Sequence, residues 1–143
     1  MKTIFITGAT SGIGKATAIL LAQQKNRLII CGRNQNVLDE LRTELSKETE
    51  IFSLNFDVRN SDEVFSAINS LPENWKNIDV LINNAGNAHG LDPISEGNID
   101  DWNAMLDGNV KGLLYVSQPI IRLMKAKQNG QIINISPVSY THL

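Results

Sequence analysis

The stretch Thr3 to Gly14, reading T-I-F-I-T-G-A-T-S-G-I-G, constrains the fold of this chain more than any other. Ile4-Phe5-Ile6 is β-branched and aromatic, which suits a strand buried on both faces. From Ile13 the apolar residues change to helical spacing through Ala16, Ile19, Leu20 and Leu21, which predicts a helix over about 13–25. A strand that passes through glycines directly into a helix gathers backbone N–H groups and the positive end of the helix dipole at one point, where a pyrophosphate can sit. Glycine suits that turn because it adopts φ > 0 and has no Cβ to block a phosphate. The spacing Gly8, Gly12, Gly14 differs from the G-x-G-x-x-G of the commonest dinucleotide fingerprint. Glycines that serve only to pack a strand-to-helix turn are the competing explanation of this stretch alone.

The same alternation continues along the chain. Arg27 to Gly32 reads as a second buried strand, followed by a helix over about 35–47 with Val37, Leu38, Leu41 and Leu45 on one face. Ile51 to Phe56 is a third strand ending at Asp57, and Ser61, Val64, Phe65, Ile68 and Leu71 mark a helix stopped by Pro72. Ile78 to Ile82 is a fourth strand that breaks at Asn83-Asn84-Ala85-Gly86, and Asn87, Gly90, Asp92, Pro93 and Gly97 mark a loop. Asp100 or Asp101 is expected to cap a long helix carrying Trp102, Met105, Leu106, Leu113, Leu114, Val116 and Ile120, kinked at Pro119. Gln131 to Ile135 is a fifth strand after Gln128-Asn129-Gly130. Strands separated by crossover helices must pair in parallel, and such crossovers are right-handed. The expected fold is therefore α/β, a doubly wound parallel sheet of order 3-2-1-4-5, with ligands at the carboxyl ends of strands 1 and 4.

Composition narrows the chemistry. With 143 residues, 42% hydrophobic and a formal charge of -2, the chain suits one domain and has no basic stripe for nucleic acid or an anionic membrane. No apolar run approaches the roughly 20 residues of a membrane span, and the N-terminus opens directly into the first strand with no room for a signal peptide. The lone Cys31, in an apolar run, reads as a buried core thiol of a cytoplasmic protein. His89 and His142 have no partners at metal-ligand spacing, so no metal site is expected.

Four stretches fall at the ends of successive strands: Gly8 to Gly14, Gly32-Arg33, Asp57-Val58 and Asn83-Asn84-Ala85-Gly86. Together they resemble the short-chain dehydrogenase/reductase family, whose turn is T-G-x-x-x-G-x-G and whose fourth strand ends in N-A-G. Asn74-Trp75 and Asp101-Trp102 look most like the NADP-dependent 3-hydroxy acid and serine dehydrogenase branch. The resemblance spans residues 1–136, expected as a dinucleotide-binding Rossmann domain, and implies hydride exchange between a nicotinamide coenzyme and a secondary alcohol or ketone. It implies that Gly8, Thr10, Ser11, Gly12, Ile13 and Gly14 hold the pyrophosphate and adenosine ribose. Asp57 and Val58 would border the adenine, with the carboxylate accepting from its amine, and Asn84, Ala85 and Gly86 would pass the ribose. Asn109 of Asn109-Val110-Lys111-Gly112 would hold a water of the catalytic proton relay. At the end of the second strand Arg33 stands where a carboxylate would meet a free 2′-hydroxyl, which favours NADP over NAD. Asn34 occupies the place where this branch often has a second arginine. The resemblance further implies a dimer or tetramer built through the long helix when the protein is full length.

The family pattern fails at the end of the fifth strand. The catalytic serine's place is Pro137, Ser136 only flanks it, and Tyr140 lies too near the strand with no lysine four residues beyond. Residues 137–143 are therefore expected to be a non-native or truncated tail, and the chain an inactive amino-terminal fragment whose fifth strand leaves an apolar sheet edge. A non-catalytic dinucleotide-binding regulatory module is the alternative. A methyltransferase of similar fold fits less well, because Arg33 holds the slot in which those domains usually carry an acid.

Overall fold

The computed structural model describes residues 1–86 and 92–136. Strands β1 (Thr3–Ile6), β2 (Arg27–Gly32), β3 (Ile51–Asn55), β4 (Val80–Asn83) and β5 (Gln131–Asn134) form one sheet in the order β3-β2-β1-β4-β5. All pairings are parallel, with Phe5 of β1 beside Ile29 of β2 and Leu81 of β4. The expected fold class and strand order are thus observed. Helices α1 (Gly12–Gln23), α2 (Gln35–Leu45), α3 (Ser61–Asn69), α4 (Ile99–Met105) and α5 (Gly112–Ala126) connect or flank the strands.

Strands β1, β2 and β4 are buried on both faces, with successive side chains pointing to opposite sides of the sheet. Ile4, Ile6, Leu28 and Ile30 pack with Ala18 and Ala22 of α1 and Leu38, Leu41 and Leu45 of α2. Phe5, Ile29 and Leu81 point the other way, against Val64 and Ile68 of α3 and Val116 and Ile120 of α5. Full burial of one such side chain is worth about 1.5–3 kcal/mol, so the two layers hold the sheet from both sides. Trp75, in a short 3-10 turn, is buried with the Arg27 guanidinium 4.1 Å above its ring, and the Trp102 ring lies over Gly97. These two tryptophans of the branch signature are packing features.

Several expectations are corrected. The buried face of α1 is Gly14, Ala18 and Ala22, whereas Ile13 and Leu20 are exposed. The cause is Gly14, which lies against the Gly8 carbonyl and the Asn84 side chain so closely that a Cβ would overlap both. That contact sets the rotation of the helix. The cap of α4 is Asn98, whose side chain accepts from the Asp100 N–H, while Asp100 and Asp101 occupy the first turn. The long helix carries a π-helical stretch at Leu106–Lys111 and stays helical through Pro119, which lies inside α5. Trp102, Leu106 and Leu114 are exposed, so of the apolar positions expected on this helix only Val116 and Ile120 reach the core. On the edge strand β5, Ile132 and Ile133 are 38% and 40% exposed.

Asp79 ties the strand starts together. Its carboxylate accepts from the Thr3 N–H (2.9 Å) and the Lys127 ammonium (2.7 Å), and its backbone bonds Thr3 and Gln131. Burial pushes its pKa up, but these donors outweigh burial and hold it below 3.8. Asp79→Asn should lower stability at neutral pH by about 1–2 kcal/mol. Because the folded-state pKa lies below the unfolded one, this contribution is complete above about pH 5 and is lost as pH falls through the folded value. Urea midpoints of wild type and variant should therefore converge in acid, and a gap that persists there would contradict the assignment. Gly14→Ala drives a Cβ into backbone and should cost about 3 kcal/mol. Gly12→Ala meets nothing within 4 Å, so only its φ of +54° is strained, at about 1 kcal/mol. Thermal unfolding of the two variants checks that order.

Candidate functional site

The site is built where the chain leaves β1 and β4. Thr7, almost fully buried, accepts through Oγ1 from the N–H groups of both Asn84 and Ala85, each at 3.0 Å. In return the Asn84 amide donates to the Gly8 carbonyl at 3.0 Å. Gly8, at φ +62°, approaches Ala85 so closely that its own Cβ would lie 3.0 Å from the Ala85 backbone. The glycine turn after β1 and the Asn84-Ala85-Gly86 turn after β4 are one locked unit. The Ala9 N–H donates to the Cys31 carbonyl, which joins β2 to the same unit.

The mouth of α1 differs from the starts of α2, α3 and α4. Asn34, Asn60 and Asn98 cap α2, α3 and α4 through their side chains, whereas the Ser11 side chain makes no cap bond to α1. The first N–H groups of α1 therefore keep their donor capacity, with the dipole's positive end behind them.

These elements line a cleft of about 590 Å³. Of the residues singled out in the sequence, Gly8, Thr10, Ser11, Gly12, Ile13, Arg33, Asp57, Val58, Asn84, Ala85 and Gly86 form its wall. Thr10 covers Gly32, where a Cβ would lie 2.6 Å from its methyl. Gly14 and Asn109 stand behind the wall. The Asn109 Oδ1 backs Gly86 so tightly that Gly86 has no room for a Cβ, and Gly112 would carry one 2.7 Å from the Val58 methyl. The N-x-x-G spacing thus presents one turn of the long helix to two wall segments at once.

Arg59, Phe56, Cys31, Ile135 and Ser136 also line the cleft, and sequence reasoning gave none of them a binding role. The signal for Arg59 was its place two residues after a strand-end aspartate. Its guanidinium bonds both Asp57 oxygens at 2.6–3.1 Å, and its N–H donates to Oδ1. The Asp57 N–H is itself held by the Glu63 carboxylate in the first turn of α3. The Arg59 bonds, aided by the charge of Arg33, keep the Asp57 carboxyl ionised below its usual range. Burial pushes the Cys31 thiol well above its usual pKa, so at neutral pH it is no nucleophile. The wall thus holds two guanidinium groups against one carboxylate, an arrangement that suits an anionic ligand.

Behind the cleft, buried Asn83 donates to Ser117 Oγ and Asn134 Oδ1, both at 3.0 Å, and links β4, α5 and β5. His89, Pro137, Tyr140 and His142 lie outside the described residues. Among the described residues no group of three metal-ligating side chains comes together, and no helix is long and apolar enough to cross a membrane.

A family model described as short chain dehydrogenase matches residues 2–141. The NADP-dependent 3-hydroxy acid dehydrogenase YdfG of Escherichia coli O6:H1 is 41% identical over 132 residues, covering 92% of this chain and 52% of that protein. Serine dehydrogenase from Escherichia coli superposes with a TM-score of 0.85 at 39% identity, over 92% of this chain and 60% of that one. A closed form of serine dehydrogenase complexed with NADP+ gives 0.85 at 39% identity, over 92% and 52%. The chain spans about half the length of the curated relatives it matches. From the glycine turn to the fifth strand, sequence and geometry agree: this chain belongs to the short chain dehydrogenase family.

Proposed function

We propose that residues 1–136 form the dinucleotide-binding domain of an NADP-dependent oxidoreductase acting on a secondary alcohol or its ketone, with small 3-hydroxy acids as the substrate class. The observation that carries this reading is the cradle at α1, where Gly8 and Gly14 leave no room for a side chain and Gly12 faces open space. The names and bound coenzyme of the similar proteins support the cofactor and the substrate class.

In this reading the N–H groups at Ser11, Gly12 and Ile13 bind the pyrophosphate, Thr10 borders the adenosine ribose, and Gly8 and Gly14 keep the turn in shape. Arg33 binds the 2′-phosphate, Asp57 and Val58 border the adenine, and Asn84, Ala85 and Gly86 give the ribose a wall without bulk. Bound NADP supplies the hydride carrier. Asn109, from behind Gly86, holds a water for proton transfer and acts as a positioning residue. Pro137 has neither hydroxyl nor N–H where the family places its catalytic serine, so we propose that the 143-residue chain by itself turns over no substrate. The reading places the protein in the cytoplasm, where nicotinamide coenzymes coexist with reduced thiols such as Cys31.

Calorimetry should show NADP+ binding more tightly than NAD+, with Arg33→Ala narrowing the gap by roughly tenfold. Equal affinities in the wild type would remove the phosphate assignment, and no heat with either coenzyme would remove the reading as a whole. The full-length protein is further proposed to assemble as a homo-oligomer along the long helix, where Leu106, Val110 and Leu114 are about half exposed. Leu114→Glu should then shift its sedimentation toward the monomer.

A further inference from the structure

The two cleft-lining arginines both act on the Asp57 carboxylate and are used differently. Asn55, at the end of β3, donates through one amide nitrogen to the carbonyls of Gly32 (3.0 Å) and Arg33 (2.9 Å). The Phe56 N–H also donates to the Gly32 carbonyl. The backbone that bears Arg33 is therefore pinned beside the segment that bears Asp57. An aspartate in that position is a natural ion-pair partner for Arg33. Among the described residues, however, Arg33 forms no ion pair, and Asp57 is taken by Arg59. Arg59 Nε lies 3.0 and 3.1 Å from the two carboxylate oxygens, Nη2 lies 2.6 Å from Oδ2, and the Arg59 N–H adds a bond to Oδ1. Both oxygens are thus engaged by Arg59 alone.

Resting on the NADP reading above, we propose that Arg59 is a specificity-determining positioning residue: by occupying Asp57 it leaves the Arg33 guanidinium available to a 2′-phosphate and cancels the carboxylate's repulsion of that dianion. A bare carboxylate next to the phosphate site would act against binding twice, by competing for Arg33 and by repelling the ligand. The second positive charge, absent at Asn34, is in this arrangement spent on the neighbouring acid from another strand end. Asn34 is itself committed to capping α2 through the Val37 N–H.

The test uses two half-coenzymes that differ only at the 2′ position, 2′,5′-ADP and 5′-AMP, bound to this chain by calorimetry. Wild type should prefer 2′,5′-ADP, and Arg59→Ala should cut that preference, the ratio of the two affinities, by roughly tenfold. Arg59→Lys, which keeps the charge, should retain most of it. The double variant Asp57→Asn/Arg59→Ala has no acid to capture Arg33 and should return the preference to within about threefold of wild type. A preference unchanged in Arg59→Ala would overturn the proposal. So would a double variant as poor as the single one, which would mean that Arg59 touches the phosphate itself. A wild type that binds both ligands equally would instead sink the NADP reading on which the proposal stands. Circular-dichroism melts accompany each variant, and Arg59→Gln replaces Arg59→Ala if the latter unfolds.

Discussion

One hydroxyl holds the architecture of the cleft. Thr7 Oγ1 accepts from two successive N–H groups, those of Asn84 and Ala85, and so fastens the turn after β4 to the end of β1. Both donors belong to a segment that has left its strand and would otherwise present unsatisfied backbone in a part-buried place. The reciprocal bond from the Asn84 amide to the Gly8 carbonyl makes the lock two-sided. A doubly wound sheet opens a crevice where its strand order reverses, but the crevice has a defined shape only if the turns on its two sides keep a fixed spacing. Here threonine and asparagine side chains set that spacing.

Glycine contributes through close approach more than through flexibility. Gly14 lets α1 sit on the Gly8 carbonyl, Gly86 admits Asn109, and Gly112 admits Val58. Each is a point where an element from behind the cleft touches its wall. The π-helical stretch Leu106–Lys111 contains Asn109 and leads into Gly112, so the irregular turn lies where the long helix meets the site. Such stretches tend to occur at functional positions because the wider turn re-aims side chains that a regular helix would carry past.

The charges of the wall are arranged by one neighbour from the adjacent strand and by two local contacts after β3. Asn55 reaches from β3 to hold the end of β2, Arg59 folds back on Asp57, and Glu63 of α3 holds the Asp57 backbone. The electrostatic character of the cleft therefore comes from one contact between strand ends, Asn55 on the end of β2, together with the local Arg59–Asp57 pair in the turn after β3.

The sequence by itself determined the sheet and its order, because Ile4 to Ile6, Leu28 to Ile30 and Val80 to Ile82 are apolar on both faces and are separated by helical spacing. It also determined most of the cleft wall, since the glycine turn, Arg33, Asp57-Val58 and Asn84-Ala85-Gly86 all fall at strand ends, which a parallel sheet brings to one edge. Only the tertiary structure decided which face of α1 is buried, since its small residues carry little periodic signal and one backbone contact at Gly14 sets the rotation. It alone decided that the long helix turns π-helical at Leu106–Lys111, where Asn109 lies against Gly86 and Gly112 against Val58, and that it stays helical through Pro119. The spacing of Arg59 two residues after Asp57 was legible in the sequence, but that its guanidinium folds back to take both carboxylate oxygens was decided only by the backbone of the turn.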